Sequence, residues 1–273
     1  MVVKQKKDRP KLGQNFRFGF YDIPAKERMR AIADAGFDDV MMHWDEHYAD
    51  TDMMPDKLFD TAVQCGLAVR TVHFPQQDAH LLWTEGQSGE SYTDFLIRVI
   101  KEVGARQVNH LVLHTTRRLI TPPPGPIGLE RVRRALDEAE KQNVCLAFEN
   151  TRFLNYNAYL YDHFDSPCLA FCFDSGHAHC YTPGQDPLGR FSDRMVTMHL
   201  HDNFGAEQGD LHLPIGEGNI DFDALFKRLK ALDPPCYNLE SYRPKNGAYA
   251  KMDLETYLST CFQTLCRYVL EAQ

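Results

Sequence analysis

A chain of 273 residues, 43% of them hydrophobic and 25% charged, is long enough to bury one large core and has an ordinary globular composition. Its formal net charge of −8 disfavours a polyanionic partner, so nucleic acid would need a local basic groove. No apolar run approaches the ~20 residues of a membrane span, so no membrane-spanning helix is expected.

Residues 1–12 hold Lys4, Lys6, Lys7, Arg9 and Lys11 around no apolar centre, so they read as a flexible basic tail rather than a signal peptide, ahead of one domain over 13–273. Beyond the tail, strand-like and helix-like runs alternate about eight times, the pattern of a parallel sheet with crossover helices. The first strand falls at 17–20, and Pro24 opens a helix that Gly36 stops. A second strand at 39–42 runs into the loop His43-Trp44-Asp45-Glu46-His47-Tyr48, and Pro55 opens a helix ending near Gly66. The third, at 68–72, ends on His73. The polar connection at 76–90 that follows, with Trp83 in it, has the length of a lid or a binding loop. After a helix at 92–103, the fourth strand at 108–113 ends on His114, and a helix at 129–142 leads to the fifth at 144–148, which ends on Glu149. The sixth (169–173) ends on Asp174, the seventh (195–198) on His199 and the eighth (236–239) on Glu240, with helices at 220–232 and 254–270.

Six of the eight strands thus end on a residue able to bind a metal, and in an eight-stranded parallel barrel all such ends meet at one rim. The expected fold is a single (β/α)8 TIM barrel. Residues 195–218 concentrate the signal, with His199, His201 and Asp202 at a strand end and Asp210, His212 and Glu217 in a glycine-bearing loop. Imidazole and carboxylate without thiolate suit a hard or borderline divalent metal ion, Mn, Co, Mg or Zn, and no organic cofactor is expected.

Each of these residues also has a purely structural explanation. A lone His is more often hydrogen-bonded than ligating, which covers His43, His47, His80 and His163, and alternation is expected to turn His179 and His201 away from the cup. F-D-S-G-H at 173–177 suits a turn, and the glycines of G-E-G at 216–218 suit backbone geometry alone. Trp44 and Trp83 fit a core as well as a substrate wall. Glu149 and Glu240 differ, because a carboxylate after a buried strand is costly unless a cation or proton compensates it. The eight cysteines form no C-x-x-C pair and read as buried reduced thiols of a cytoplasmic protein.

Seven segments in order, V-H-F-P (72–75), V-L-H-T (112–115), F-E-N-T (148–151), F-D-S-G-H (173–177), M-H-L-H-D-N (198–203), D-L-H-L-P-I-G-E-G (210–218) and L-E-S (239–241), carry a family resemblance over 18–268. The chain resembles the xylose isomerase-like TIM barrels, which hold sugar isomerases and epimerases together with the endonuclease IV branch. In the epimerase branch the resemblance implies one divalent ion on Glu149, Asp174, His199 and Glu240. The two glutamates then serve as acid and base, and His177 contacts substrate oxygens. In the endonuclease branch it implies a second ion on His73, His114 and Glu149, and a third on His177, Asp210 and His212. The connection after His73 and the loops T-T-R-R after His114 and T-R-F-L-N-Y after Glu149 depart from the endonuclease pattern, whereas Trp44, Trp83, Tyr156 and Tyr159 resemble walls for a small carbohydrate.

The expected activity is a metal-dependent isomerase or epimerase of a sugar or sugar phosphate, working by proton transfer next to a carbonyl through Glu149 and Glu240. His177, Trp44, His73, His114 and Arg243 are its expected substrate-binding residues, with Arg243 and Lys245 placed either to meet a substrate phosphate or as plain surface charge. The alternatives are a multi-zinc phosphodiesterase acting on DNA and a non-catalytic sugar-binding barrel. No membrane partner is expected, and because barrels of this family often pair, a homo-oligomer is a further option.

Overall fold

Side chains alternate along each strand, and in this chain the alternation builds two cores. In the computed structural model, which describes residues 9–46, 52–117, 119–206 and 209–270, eight strands follow one another: β1 (Lys11–Asn15), β2 (Asp39–His43), β3 (Thr71–His73), β4 (His110–His114), β5 (Cys145–Glu149), β6 (Leu169–Asp174), β7 (Met195–His199) and β8 (Cys236–Leu239). Outward residues such as Leu111, Leu146, Phe148, Phe171 and Phe173 join one large cluster against the helices, while Val112, Ala147, Ala170 and Cys172 form a small cluster of their own. These four lie two or four residues before His114, Glu149 and Asp174, on the same strand face, and so form the barrel filling beneath the rim. Burial on both faces is what a parallel sheet requires.

The strands lie in the order β7-β6-β5-β4-β3-β2-β1-β8, and every pairing is parallel. Leu200 closes the ring, because its N–H donates to the Asn238 carbonyl at 2.9 Å and its own carbonyl accepts from the Glu240 N–H at 3.0 Å. Nine helices surround the sheet among the described residues: α1 (Ala25–Ala35), α2 (Pro55–Gln64), α3 (Gln87–Ala105), α4 (Pro126–Gln142), α5 (Leu154–His163), α6 (Ser175–Cys180), α7 (Pro187–Phe191), α8 (Phe222–Ala231) and α9 (Leu254–Leu270). Pro55 and Pro126 open α2 and α4, where a missing N–H costs nothing, and left-handed Gly36 and Asn143 stop α1 and α4. None of these helices is long and apolar enough to cross a membrane. All eight cysteines are free.

Two expectations are corrected. The first strand is not 17–20 but Lys11–Asn15, which pairs with both β2 and β8. Residues 9–12, read above as tail, therefore belong to the barrel, and Arg9 is buried in an ion pair with Asp38. Residues 1–8 lie outside the described residues, as does His47. K-L-G-Q-N has little β propensity, but a Cβ at Gly13 would collide with Asn238, so glycine is what lets these strands approach. Residues 17–20 instead form a turn with positive φ at Gly19 and Phe20.

The connection after β3 is likewise not a lid. It folds into a 3-10 turn (Ala79–Trp83) held by the buried guanidinium of Arg131 on α4, which donates to the carbonyls of Leu81 at 2.8 Å, Leu82 at 3.2 Å and Thr84 at 2.6 Å. Trp83 packs where a Cβ on Gly128 would sit, and its indole N–H donates to the Thr115 carbonyl at 2.8 Å. Arg131→Leu strands those carbonyls in an apolar environment, and we expect a loss of about 3 kcal/mol in urea unfolding with unchanged metal content. A loss below about 1 kcal/mol, within the range of an ordinary surface substitution, would mean that the strap is held elsewhere.

Candidate metal centre

The parallel register sets neighbouring strand ends side by side: His43 faces His73, His114 faces Glu149, and Asp174 faces His199. The ring thus converts residues far apart in sequence into one buried cup. Glu149 lies at its centre and is fully buried. Its Oε2 is 3.0 Å from His114 Nε2 and 3.3 Å from His73 Nε2, and its Oε1 is 2.9 Å from His177 Nδ1 and 3.4 Å from His199 Nδ1. Glu240 approaches from the other side, with Oε2 2.9 Å from the same His199 Nδ1. Asp210 completes the outer wall, its Oδ2 lying 3.1 Å from both His177 Nε2 and His212 Nε2.

Backbone carbonyls fix several of these rings. His73 Nδ1 sits 2.7 Å from the Phe74 carbonyl, so its proton belongs on Nδ1 and Nε2 presents a lone pair to the cup, while His212 Nδ1 sits 3.0 Å from the Glu240 carbonyl and turns Nε2 toward Asp210. His212 adopts positive φ, a conformation costly for a residue with a Cβ, and is held there by stacking on His201 and Tyr242. Asn150 locks the backbone of Asp174 through both its amide oxygen and its amide nitrogen.

Asp202, buried after β7, belongs to the scaffold. Its carboxylate accepts from the backbone N–H groups of Asn203, Gly216, Gly218 and Ile220 and so folds the loop that carries Asp210 and His212. A Cβ on Gly218 would strike Asn203 and Asp202, which accounts for the second glycine of G-E-G. Glu217 joins none of the metal-ligating groups among the described residues.

Four buried residues, Glu149, Asp174, His199 and Glu240, each offer one donor atom, all within 4.8 Å of one another. Both oxygens of Glu149 and both ring nitrogens of His199 are buried without a hydrogen bond, although imidazole and carboxylate lie in ion-pair range. Orphaned polar atoms in a fully buried place are costly, and a divalent cation is the species that would satisfy this donor set. The same criterion gathers His73/Glu149/His199, His114/Glu149/His177, His177/Asp210/His212 and His201/His212/Glu240.

Burial alone would raise the Glu149 carboxyl, but His199, His114 and His177 hold it well below the carboxylate range. Glu240 is likewise depressed against its own burial, by His199 and His212. Burial pulls the imidazoles down, yet Cys172, Glu240 and Glu149 push His199 well above its ordinary value, and Asp174, Glu149 and Asp210 do so for His177. His212 rises to about 9 because its hydrogen bond to the Asp210 carboxylate, with that group's charge, outweighs burial. Without metal, protons on His177, His199 and His212 offset part of the charge on the carboxylates.

All nine residues expected to ligate converge, and two more join them. His201 was expected to point away, but Leu200 continues the sheet, so His199 and His201 share a face. Its Nε2 lies 3.1 Å from Asp174, and its ring occupies the space a Cβ on Gly176 would fill. His43 stacks on His73 with Nε2 3.8 Å from Glu240 Oε1. His179, by contrast, bonds Asn219 outside the cup, as expected.

Other expected contacts fall elsewhere. The guanidinium of Arg243 donates to the carbonyls of Ala250 and Met252 and lies 4.3 Å over the Phe20 ring, so it braces the β8 loop. Trp44 is buried, bonds Glu46, and lines an adjoining cavity of about 570 Å³ rather than the cup. Trp83 and Tyr156 pack edge to face, their polar atoms spent on the Thr115 and Pro122 carbonyls, and Tyr159 also packs against Trp83. The aromatic walls of the cup are Tyr181 and Tyr242, which sequence patterning did not single out.

A sequence signature of the xylose isomerase-like TIM barrel family matches residues 29–259. Over 113 residues the chain is 34% identical to the uncharacterized protein y4fM of Sinorhizobium fredii (strain NBRC 101917 / NGR234), a match covering 37% of this chain and 36% of that protein. The match therefore spans about a third of the length of that relative. A D-tagatose 3-epimerase-like protein superimposes with a TM-score of 0.72 at 18% identity, over 94% of this chain and 96% of that one. The D-psicose 3-epimerase of Clostridium cellulolyticum H10, solved with D-tagatose, gives 0.71 at 15% identity, over 96% and 100% of the respective chains. At such identities these structures establish the shared fold.

The raised imidazoles carry a prediction. His199, the imidazole of the inner group, is raised well above its ordinary value, so an ion entering that group at pH 7 must displace its proton. Affinity for Mn or Zn therefore climbs with pH and falls in acid. Calorimetric titration at pH 7 in buffers of different ionisation enthalpy is expected to record release of on the order of one proton per ion. Heats independent of buffer would show the His199 ring to be neutral without metal.

Proposed function

The chain belongs to the xylose isomerase-like TIM barrel family, and from that premise we propose that it is a divalent-metal-dependent isomerase or epimerase acting on a sugar or sugar phosphate. The observation that carries this reading is the buried group Glu149, Asp174, His199 and Glu240, in which two carboxylates border one donor atom of His199. Above it opens a cavity of about 430 Å³, a size suited to a monosaccharide.

The four residues would hold the cation, which supplies Lewis acidity toward adjacent carbonyl and hydroxyl oxygens and so acidifies the carbon-bound proton beside the carbonyl. Glu149 and Glu240 are kept ionised by their imidazole neighbours, the form in which a carboxylate accepts a proton. One of them removes the proton from that carbon, and the other, or the same one, returns it. His177, His73 and His114 line the cavity beside Glu149, where they would hold substrate oxygens, and Tyr181 and Tyr242 line the same cavity.

A second reading draws on the outer groups His114/Glu149/His177 and His177/Asp210/His212, which together could bind additional ions. Three ions in one cup would suit phosphodiester hydrolysis.

Elemental analysis after metal loading is expected to give near one ion per chain, and incubation with ketoses in deuterated water is expected to place deuterium at the carbon next to the carbonyl. Glu149→Gln and Glu240→Gln should each slow that exchange by roughly 10²–10⁴-fold, the usual contribution of a general base. Three zinc ions per chain, with cleavage of an abasic-site duplex that Glu149→Gln abolishes, would replace this reading with the second.

A further inference from the structure

Arg117 and Arg152 stand over the cup in a matched arrangement. His114 and Glu149 are register partners on β4 and β5, and the two arginines follow them by three residues each. Their loops are coupled by the buried Thr115 and Thr151 hydroxyls, 3.3 Å apart, and by Trp83, whose N–H holds the Thr115 carbonyl. Both arginines line the same cavity as Glu149 and Glu240, together with the buried Thr116 and Thr151. Arg152 lies 3.7 Å over the ring of Tyr181, which orients its guanidinium without using its N–H donors.

Neither guanidinium has a hydrogen-bond or ion-pair partner among the described residues. Their counterparts in the adjoining cavity are neutralised, Arg17 by Asp45 and Arg98 by Glu46, and Arg243 is committed to backbone carbonyls. Two unpaired guanidinium groups beside buried hydroxyls form a planar, multidentate donor set that matches phosphate or carboxylate geometry. The lower half of the cavity is, by contrast, a carboxylate and imidazole floor suited to a cation and to neutral hydroxyls.

Resting on the isomerase reading of the floor, we infer that Arg117 and Arg152, with Thr116 and Thr151, bind an anionic group on the sugar, phosphate or carboxylate, at the end remote from the reacting carbons. The arginines are specificity-determining residues: they select acidic sugars over neutral ones and orient the chain of the substrate toward Glu149 and Glu240. The acidic overall charge is no obstacle, since the field at the mouth is set by the nearest unpaired charges.

The test uses metal-loaded protein and the double variant Arg117→Gln/Arg152→Gln, whose melting temperature and metal content are checked first because both side chains are exposed. Inorganic phosphate is titrated against each protein. Binding is expected to weaken by about tenfold or more in the variant, as the loss of charge-assisted hydrogen bonds implies. Equal binding, or none to the unsubstituted protein, overturns the inference. Deuterium exchange is then compared for matched ketoses: unmodified, phosphorylated at the terminal carbon, and carrying a terminal carboxylate. A preference of about tenfold for one or both acidic forms in kcat/KM, residing mainly in KM and collapsing in the variant, supports the inference and tells phosphate from carboxylate. A ratio near one overturns it while leaving the isomerase reading intact. Arginine-dependent phosphate binding with no exchange on any ketose upholds the anion site and removes the isomerase reading. Arginine-dependent cleavage of an abasic-site duplex would assign the site to a backbone phosphate and overturn the commitment to a small sugar.

Discussion

A carboxylate buried at the end of a central strand is the constraint on which the rest of this structure depends. Glu149 is cut off from water, and neither of its oxygens has a hydrogen bond. Left alone it would take up a proton, because burial penalises the charged form. Four imidazoles, those of His73, His114, His177 and His199, come within 3.4 Å of it instead, and His199, His114 and His177 reverse the effect of burial. Those rings in turn need orientation, which explains why so many neighbouring backbone groups are aimed at them. The carbonyls of Phe74, Asn150 and Glu240 each meet a ring nitrogen of a cup histidine.

The scaffold absorbs the cost of packing so many polar side chains around one point through glycines at close approaches. Gly13 admits Asn238 between β1 and β8, Gly176 admits the His201 ring, and Gly218 lets the loop pass beside Asp202. In each case the argument is space, since none of the three has positive φ. Asp202, with four backbone N–H groups on one carboxylate, anchors the loop at Asn203 and again at Gly216, Gly218 and Ile220, and its backbone pairs with Leu213, directly after His212.

What could be read from residues alone follows from this physics. Strand ends on His73, His114, Glu149, Asp174 and His199, with Glu240 directly after β8, were legible because period-two burial and a parallel barrel together force one rim. His201 was misplaced by applying alternation to neighbours instead of to residues two apart, although the signal was present. The first strand was missed because β1 is selected by what lies beside it, Asn238 and Asp39, and not by its own propensity. Trp83 and Tyr156 were taken for ligand walls because aromatic residues in polar loops look alike until their N–H and O–H partners are known. Arg117 and Arg152 lie in the loops T-T-R-R and T-R-F-L-N-Y that depart from the endonuclease pattern, but only the register of β4 and β5 brings them together.

The hydrogen bonds of the cup also bear on how many ions it takes. Asp210 Oδ2 lies 3.1 Å from both His177 and His212, so the outer group already has protons to bind it together. In the inner group, Glu149 and His199 leave all four of their polar side-chain atoms without a hydrogen bond, although imidazole–carboxylate pairs there come as close as 2.9 Å. Charge points the same way. Glu149, Asp174, Asp210 and Glu240 contribute four negative charges, and one divalent ion with neutral rings would leave 4 − 2 = 2 of them uncompensated at low dielectric. Protons on His177, raised without metal by Asp174, Glu149 and Asp210, and on His212, raised by Asp210, would be the source of that remaining charge. A cup with one ion inside and two protons outside is therefore neutral and has an internal partner for the shared oxygen of Asp210. Replacing the protons by two further divalent ions would instead make it positive, 6 − 4 = 2, and would draw in hydroxide or an anionic substrate to balance. The isomerase and phosphodiesterase readings thus correspond to two charge states of one set of ligands.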